Sequence, residues 1–206
     1  MIKKYGHQKW WPADSPFEVM VGAVLTQNTA WTNVERAIDN LKAEHCLDAQ
    51  CIVDLKQEKL AQLIRPSGYF NIKAKRLNNF CSWYISSQGY DRLKYLKTPE
   101  LRRQLLSING IGPETADDIL LYAFHRRVFV VDAYTHRIFE RLGVLEGGEA
   151  YEDVRQLFES TLKKQPVKVF NEYHALIVQH AKQACRKTPL CHECCLARLC
   201  DYERDN

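Results

Sequence analysis

Three observations predict an all-α protein. Apolar residues recur at the three- and four-residue spacing of amphipathic helices along most of the 206 residues. Only one short β-branched run stands out, Val128-Phe129-Val130-Val131. Glycines and prolines are few, 9 and 7, so the helical patterns are separated by short links. A hydrophobic fraction of 46% allows a buried core without disulfides.

Capping residues predict where the helices begin. Ser15 before Pro16 is typical of an N-cap followed by proline in the first turn, so the first helix begins there. Its inward residues are expected to be Phe17, Met20, Val21 and Val24. A second helix follows Asn28-Thr29, and further helical patterns cover approximately residues 48–55, 57–64, 72–88, 98–107, 113–125, 133–142, 150–163 and 167–184.

Composition excludes two classes of protein. No apolar run approaches the roughly 18 residues of a membrane-spanning helix, and 26% charged residues with little glycine exclude a long disordered chain. No apolar stretch follows Met1 to Gly6, so we expect no secretory signal and a reducing, cytoplasmic compartment. The formal net charge of +4 is too small to decide whether the protein binds nucleic acid.

The most informative segment is the turn Asn109-Gly110-Ile111-Gly112, where one helical pattern stops and another begins at Pro113. Glycines allow positive φ and close backbone approach, and proline suits the first turn of a helix. The unpaired amides at this positive helix end can bind a DNA phosphate without a basic side chain. The plainer interpretation is a tight link between two packed helices.

An aspartate follows this turn. Asp132 stands twenty residues after Gly112, directly behind Val130-Val131 and at the start of a predicted helix. An N-cap is the ordinary role of aspartate at such a position. A capping carboxylate can also take part in chemistry, so the two roles are compatible.

Together, the hairpin, the Gly-x-Gly turn and the Val-Asp pair resemble the endonuclease III superfamily of helix-hairpin-helix DNA glycosylases. The resemblance covers most of the chain and implies a monomer of base excision repair, located with the nucleoid, whose partner is double-stranded DNA containing a damaged base. It also implies that Asp132 is catalytic, by stabilising an oxocarbenium-like sugar and orienting the attacking water.

We expect one compact unit made of two helical lobes, because no linker divides the chain. Residues 28–127 form a six-helix lobe with the helix-hairpin-helix at about 98–124. Residues 1–27 and 128–206 form the second lobe, which contains both termini and ends in a cysteine-rich loop at 185–200.

The resemblance also assigns contacts to DNA. Leu25-Thr26-Gln27-Asn28-Thr29 resembles a segment whose glutamine fills the hole left by an extruded base. Gly68-Tyr69-Phe70-Asn71-Ile72-Lys73-Ala74 resembles a segment that supplies a second wedge, here Tyr69. The predicted DNA-binding residues are Gln27, Tyr69, Gly110, Ile111, Gly112, Thr115, Arg186 and Lys187. A monovalent cation at the hairpin is expected on the carbonyls of Leu106, Ile108 and Ile111.

Glu114 bears on the type of reaction. Lyase members of the superfamily carry a nucleophilic lysine just after the glycine turn, where it forms a Schiff base with the sugar. Here Gly112-Pro113-Glu114 puts an acid at the matching position, and a carboxylate cannot form an imine. The resemblance therefore implies a monofunctional glycosylase that uses water and leaves an abasic site.

The aromatic residues near the amino terminus bear on the base. Trp10-Trp11-Pro12 and Trp31, close after Gln-Asn-Thr, resemble the base pocket of a bacterial 3-methyladenine DNA glycosylase subfamily, which also carries the glutamate matching Glu114. Alkylated adenine is cationic, and indole faces attract cations. The alternative is that the tryptophans are packing residues.

Two rival functions stay open. One is a glycosylase for mismatched or oxidised pyrimidines such as uracil, thymine in a T·G mismatch or thymine glycol. A neutral pyrimidine gains less from an aromatic cage, so the tryptophans separate this substrate from a cationic purine. The other is a DNA-binding protein that senses lesions without cutting.

Four cysteines near the carboxyl end predict a metal site. Cys185, Cys191, Cys194 and Cys200 form the pattern C-x5-C-x2-C-x5-C, and clustered thiolates in a reducing compartment bind metals. Zinc and a [4Fe-4S] cluster both use four thiolates. The superfamily, with its C-x6-C-x2-C-x5-C array, favours the cluster, although the 3-methyladenine subfamily lacks it. Cys195 is an alternative to Cys194.

A structural role is expected for this metal site. All four positions are filled by protein, so the cluster is not expected to take part in hydrolysis. It would fold the loop and present Arg186, Lys187 and Arg198 to phosphates. Among the histidines, His136 and His174 are candidates for helpers in catalysis, but a structural role is favoured for both.

Overall fold

Helices form the regular structure of the computed structural model, which describes residues 1–8 and 10–204 and has no strand within them. This confirms the predicted all-α class. The α-helices, in order, are Ile2–Tyr5 (α1), Pro16–Leu25 (α2), Trp31–Ala43 (α3), Ala49–Asp54 (α4), Gln57–Leu63 (α5), Phe70–Ser86 (α6), Gly89–Leu93 (α7), Thr98–Leu106 (α8), Pro113–Asp118 (α9), Ala133–Arg141 (α10), Tyr151–Leu162 (α11), Val167–Gln183 (α12) and Asp201–Arg204 (α13).

The chain divides into two units. Residues Ala13–Arg126 form one, named here the hairpin unit, and Met1–Pro12 with Arg127–Asn206 form the other, the terminal unit. Both chain ends belong to the terminal unit. The first boundary lies after residue 12 rather than residue 27, because α2 packs against α3, α6 and α9 of the hairpin unit.

Helix α2 is the centre of the hairpin unit. Its N-cap is the one expected, since the Ser15 side chain accepts a hydrogen bond from the Glu18 amide at 3.1 Å and Pro16 opens the helix. Met20, Val24 and Leu25 are fully buried. A helix that is apolar on nearly all sides is a core helix, so the loop that follows Leu25 starts from a fixed point.

A wide turn ends the hairpin region. The sequence predicts one helix over 113–125, but α9 ends at Asp118 and Ile119–Ala123 form a π-helical turn, closed by a Phe124 N–H to Ile119 carbonyl bond of 3.2 Å. All five residues of the turn are buried. These residues continue the buried run Thr115–Asp118 of α9, so the wide turn lies in the interior of the hairpin unit.

In the terminal unit, the β-branched run is buried and extended but pairs with no strand in the described residues. The Phe129 ring stacks on Phe158 with centroids 4.2 Å apart, and the Phe129 amide donates to Glu159 Oε1 at 3.0 Å. Helices α10 and α12 pack against each other in this unit.

Two further features complete the fold. Cys46 and Cys51 form a disulfide, because the turn between α3 and α4 brings their Cα atoms to 5.3 Å. None of the described helices combines the length and apolar character needed to cross a membrane.

Candidate functional site

Asp132 lies at the N-terminus of α10 in the terminal unit. It is the N-cap, as its position after Val130-Val131 predicts, and its backbone is extended at φ −115° and ψ 178°. Oδ1 accepts hydrogen bonds from the Thr135 amide at 2.7 Å and the Thr135 hydroxyl at 2.8 Å. Because both bonds go to one oxygen, they fix the carboxylate and leave Oδ2 for other contacts.

His174, on α12, faces the second oxygen. Its Nε2 atom lies 3.6 Å from Asp132 Oδ2, and the two side chains are only 6% and 12% exposed. Burial raises the pKa of Asp132, but the His174 ring and the two Thr135 donors outweigh burial, so the pKa lies below its ordinary value. Asp132 is therefore a nearly buried carboxylate that is ionised at neutral pH, which suits it to stabilise positive charge.

The hairpin has the geometry that its glycines predict. Gly110 has φ +96°, and a Cβ atom there would lie 2.3 Å from Arg76 Cγ, so only glycine fits. Gly112 is the N-cap of α9, followed by Pro113. A glycine N-cap followed by a proline without an amide proton is the arrangement that the sequence predicts for the start of α9.

Gln27 connects the loop after α2 to the hairpin. Its Nε2 atom donates to the Gly110 carbonyl at 3.2 Å and to the Thr115 hydroxyl at 3.0 Å. Its Oε1 atom accepts a hydrogen bond from Arg76 on α6. The structure thus brings together three predicted DNA-binding residues, Gln27, Gly110 and Thr115.

Tyr69 precedes α6 and points outward. Its side chain is 68% exposed, and its backbone is left-handed at φ +46°, directly after Gly68 at φ +69°. Left-handed geometry is uncommon for a residue with a bulky side chain. The backbone therefore holds an exposed aromatic ring at the end of a loop.

The predicted base-pocket residues belong to both units. In the terminal unit, the Lys182 ammonium lies 5.7 Å from the centroid of the Trp10 ring, Trp11 has φ +64°, and Pro12 is exposed. In the hairpin unit, Trp31 opens α3 and donates from Nε1 to Glu35 Oε1 at 2.9 Å. Glu114 is exposed in the first turn of α9. Their roles toward a base stay predictions.

The cysteine loop follows α12. Cys200 is buried, Cys185, Cys191 and Cys194 are partly exposed, and Cys195 is exposed. Arg141 Nη1 donates to Cys185 Sγ at 3.3 Å and the Leu196 amide to Cys194 Sγ at 3.4 Å. The four cysteines of this loop supply the all-sulfur donor set of a thiolate-bound metal, and N–H groups already point at two of the sulfurs.

Arg141 also holds the backbone of the cysteine loop. Its guanidinium donates to the carbonyls of Arg186 at 2.7 Å and Lys187 at 3.0 Å. The side chains of Arg186, Lys187 and Arg198 are exposed. The loop thus presents cations to solvent from a fixed backbone.

Another cluster has metal-ligand chemistry. Among the described residues, His136, Glu140 and Glu149 form a group whose ligand atoms all lie within 4.8 Å of one another. The cysteine sulfurs do not form such a group. Glu149 already accepts the amides of Glu146 at 2.6 Å and Gly147 at 3.1 Å, which shows a structural role in this loop.

Sequence reasoning missed several partners of the predicted residues. Thr135 could have been found, because an N-cap side chain bonds the amide three residues later. Arg76 and Lys182 carried no signal, since each resembles an ordinary surface cation in a helix. His174 was interpreted as structural, and its approach to Asp132 depends on the packing of α12 against α10.

The chain was compared with known proteins. Residues 21–164 match the HhH-GPD superfamily of base excision DNA repair proteins. Over 204 residues the chain is 50% identical to a Methanocaldococcus jannaschii protein named as a candidate DNA repair glycosylase, covering 97% of this chain and 92% of that protein. It is 30% identical over 191 residues to endonuclease III of Thermotoga maritima, covering 92% and 84%.

Solved structures show the same fold. The H. pylori 3-methyladenine DNA glycosylase bound to 1,N6-ethenoadenine has a TM-score of 0.78 and 31% identity, covering 88% of this chain and 92% of that chain. A non-covalent endonuclease III–DNA complex has a TM-score of 0.84 at 21% identity, covering 99% and 92%. These findings confirm the resemblance to the endonuclease III superfamily. The chain belongs to the HhH-GPD superfamily of base excision DNA repair proteins, a family of DNA glycosylases.

Proposed function

We propose that the protein is a monofunctional DNA glycosylase in which Asp132 is the catalytic carboxylate. The observation that carries this proposal is the ionised, nearly buried Asp132, fixed by Thr135 through Oδ1 and facing His174 through Oδ2. Such a group supplies negative charge at a place with little competing water.

The proposed reaction breaks the bond between the base and C1′ of its deoxyribose. The base leaves with the bonding electrons, and positive charge develops on the sugar, where Asp132 stabilises it. A water molecule then bonds to C1′ and gives its proton to Asp132 Oδ2. The products are the free base and an abasic site, with the DNA backbone intact.

Glu114 supports hydrolysis over lyase chemistry. It occupies the first turn of α9, where the lyase members carry their lysine nucleophile. A carboxylate cannot form the Schiff base from which the strand is cut. We therefore expect no β-elimination by this route.

DNA binding is proposed to use the hairpin backbone and two inserted side chains. The α9 amides beyond Gly112 would bind a phosphate, Gln27 would fill the hole left by the extruded base, and Tyr69 would wedge into the opposite strand. The exposed Arg186 and Lys187 would bind further phosphates. A monovalent cation at the carbonyls of Leu106, Ile108 and Ile111 stays a prediction.

An alkylated purine, 3-methyladenine, is the first candidate substrate. The 31% identity to a 3-methyladenine DNA glycosylase over 88% of this chain supports it. Trp10 and Trp11 provide aromatic faces that attract a cationic base by roughly 1–2 kcal/mol each when water is excluded. Trp31 and Glu114 stay pocket residues by resemblance alone.

A neutral pyrimidine is the second candidate, and one contact favours it. The Lys182 ammonium already lies over the Trp10 ring at 5.7 Å. A resident cation repels a cationic base but carries no such penalty for uracil, thymine or thymine glycol. The same ring therefore suits a neutral base better than the sequence analysis implied.

We propose that Cys185, Cys191, Cys194 and Cys200 hold a [4Fe-4S] cluster. Zinc and a four-iron cluster both use four thiolates. The resemblance to the superfamily's four-cysteine array supports the cluster over zinc. When bound, the cluster would supply structural order to the loop that carries Arg186 and Lys187.

The metal proposal is tested by elemental analysis of iron, sulfide and zinc in the purified protein. We expect iron and sulfide in the parent, retention in Cys195→Ser and loss in Cys200→Ser, because Cys195 is exposed and Cys200 is buried. Retention in Cys194→Ser with loss in Cys195→Ser would instead assign Cys195 as the ligand. Zinc without iron would overturn the cluster.

The function is tested by incubating the protein with methylated DNA and with duplexes containing uracil, a T·G mismatch or thymine glycol. Released bases are identified by mass, and strand cutting is measured before and after alkali. We expect a released base, intact strands before alkali, and no release by Asp132→Asn. Asp153→Asn, an exposed acidic residue of α11, is the matched control.

The released base decides between the candidates. Release of 3-methyladenine supports the tryptophan pocket, and release of a pyrimidine alone supports the second candidate. Strand cutting before alkali would overturn the monofunctional assignment. Damage-specific binding without release from any substrate would point to a lesion-sensing protein.

A further inference from the structure

Helix α6 contacts the three segments of the hairpin unit that are proposed to touch DNA. These segments are the loop after α2 that contains Gln27, the loop before α6 that contains Tyr69, and the hairpin turn at 109–112. Lys73 and Arg76, one turn apart, contact the two loops and the hairpin. Asn79 Nδ2 also donates to the Asn109 carbonyl of the hairpin at 3.1 Å. The arrangement lies wholly within the hairpin unit.

Lys73 joins the first two loops. It is 1% exposed, and its Nζ atom donates to the Leu25 carbonyl at 2.8 Å and to the Ser67 carbonyl at 2.6 Å. Leu25 is two residues before Gln27, and Ser67 is two residues before Tyr69. One buried ammonium therefore binds the backbone just before both proposed wedge residues, Gln27 and Tyr69.

Arg76 joins the Gln27 loop to the hairpin. It donates to Gln27 Oε1, while the Gln27 amide donates to the Gly110 carbonyl and the Thr115 hydroxyl. The Arg76 stem lies against Gly110, where a Cβ atom would come within 2.3 Å of it. Arg76 thus contacts both sides of the junction between Gln27 and the hairpin.

We propose that Lys73 and Arg76 are positioning residues for damage recognition, which fix the spacing of Gln27, Tyr69 and the hairpin before DNA arrives. This rests on the proposed function, in which those segments bind an opened duplex. Loops that are already ordered lose less conformational entropy on binding. Arg76 acts through Gln27 rather than as a phosphate contact of its own.

The first test measures discrimination. Fluorescence anisotropy gives the affinity for a duplex with a tetrahydrofuran abasic analogue and for the matched undamaged duplex, at several salt concentrations. Arg76→Ala should lower the preference for the abasic duplex roughly tenfold, the size expected for a charge-assisted hydrogen bond. The salt dependence of binding to undamaged DNA should not change, and Arg76→Lys should restore part of the preference.

Controls separate a positioning role from a charge effect. Lys75→Ala removes an exposed cation from the same helix and should leave the preference intact. The double variant Gln27→Ala/Arg76→Ala should lose no more preference than Gln27→Ala alone, because Arg76 acts through Gln27. Additive losses, or equal weakening on both duplexes with a shallower salt slope, would make Arg76 a phosphate contact and overturn the proposal.

Measurements on the parent protein separate the proposed mode of DNA binding from the positioning role of Arg76. If it does not prefer the abasic duplex, the proposed mode of DNA binding fails and the positioning role fails with it. If it does prefer that duplex and Arg76→Ala keeps the full preference, only the positioning role fails.

Hydrogen exchange of backbone amides provides a test without DNA. Lys73→Met should speed exchange in the loops around residues 26–29 and 67–69 but not at 109–112. Arg76→Ala should speed it at 26–29 and 109–112 but not at 67–69. Uniformly faster exchange across the hairpin unit would show general destabilisation and overturn the assignment. Arg76 is only partly buried, so its variants test the proposal if Lys73→Met does not fold.

Discussion

The hairpin unit and the terminal unit carry different kinds of proposed functional group. In the hairpin unit the proposed groups are main-chain amides, the Gln27 side chain and the Tyr69 ring, and Lys73 and Arg76 bond to the segments that carry them. In the terminal unit they are the Asp132 carboxylate and four thiols. On this proposal, the hairpin unit acts through backbone shape, and the terminal unit acts through charge and donor atoms.

The largest expected effect comes from removing charge without changing shape. Asp132→Asn keeps an N-cap side chain of the same size, so the free energy of unfolding should change by less than about 1 kcal/mol. The rate of base release should fall by about a thousandfold or more, because the neutral amide cannot stabilise the sugar cation. Single-turnover kinetics and thermal unfolding measure the two quantities. If the free energy of unfolding fell as much as the rate of base release, Asp132 would act through structure, and the contrast between the two units would not hold.

The reverse experiment changes shape without charge. Gly110→Ala puts a Cβ atom at φ +96° and against Arg76, and should lower the free energy of unfolding by about 1–3 kcal/mol. Gly112→Ala is the matched control, since a Cβ there meets nothing within 4 Å and its φ is −92°. Chemical denaturation checks both. Equal losses would show that backbone shape at Gly110 is not special.

A smaller effect concerns the buried cation of the hairpin unit. Burial lowers the pKa of Lys73 from 10.5 to about 8 in the folded protein. Between pH 8 and 10.5 the unfolded chain binds more protons than the folded one, so this group makes the free energy of unfolding rise with pH, by at most about 1.4 kcal/mol per pH unit. The free energy of unfolding is measured for the parent and for Lys73→Met between pH 8 and 10.5. The difference between the two curves gives the contribution of Lys73. A difference that does not change with pH would contradict the lowered pKa.

The smallest expected effect is a change in which base is released preferentially. Lys182→Met removes the cation over Trp10, so release of 3-methyladenine relative to uracil should rise roughly two- to fivefold. Lys168→Met, an exposed lysine of the same helix, is the control. The ratio of the two kcat/KM values gives the answer. An unchanged ratio would show that Lys182 has no part in choosing the base.

Local signals predicted most helix starts. Ser15 with Pro16 and Asp132 act as caps through bonds to residues three positions away, so the sequence near each one contains the whole interaction. The glycine turn was predictable for the same reason. The wide turn at Ile119–Ala123 was not, because it depends on burial among distant helices.

The partners of the site residues could not be predicted from local sequence signals. Arg76 reaches Gln27 across 49 positions of sequence, and His174 lies on α12, far beyond Asp132 in the sequence. Periodicity places such residues on a helix but does not fix which neighbour they meet. The resemblance supplied the role of Asp132, and packing supplied its surroundings.

The order of the two units along the chain decides which of them can fold first during synthesis. The hairpin unit is one continuous stretch, residues 13–126, whereas the terminal unit joins residues 1–12 to 127–206. Chains fold domain by domain as they leave the ribosome. The hairpin unit can therefore fold before His174 is available to Asp132, so during synthesis the unit proposed to bind DNA forms before the proposed catalytic carboxylate is in place.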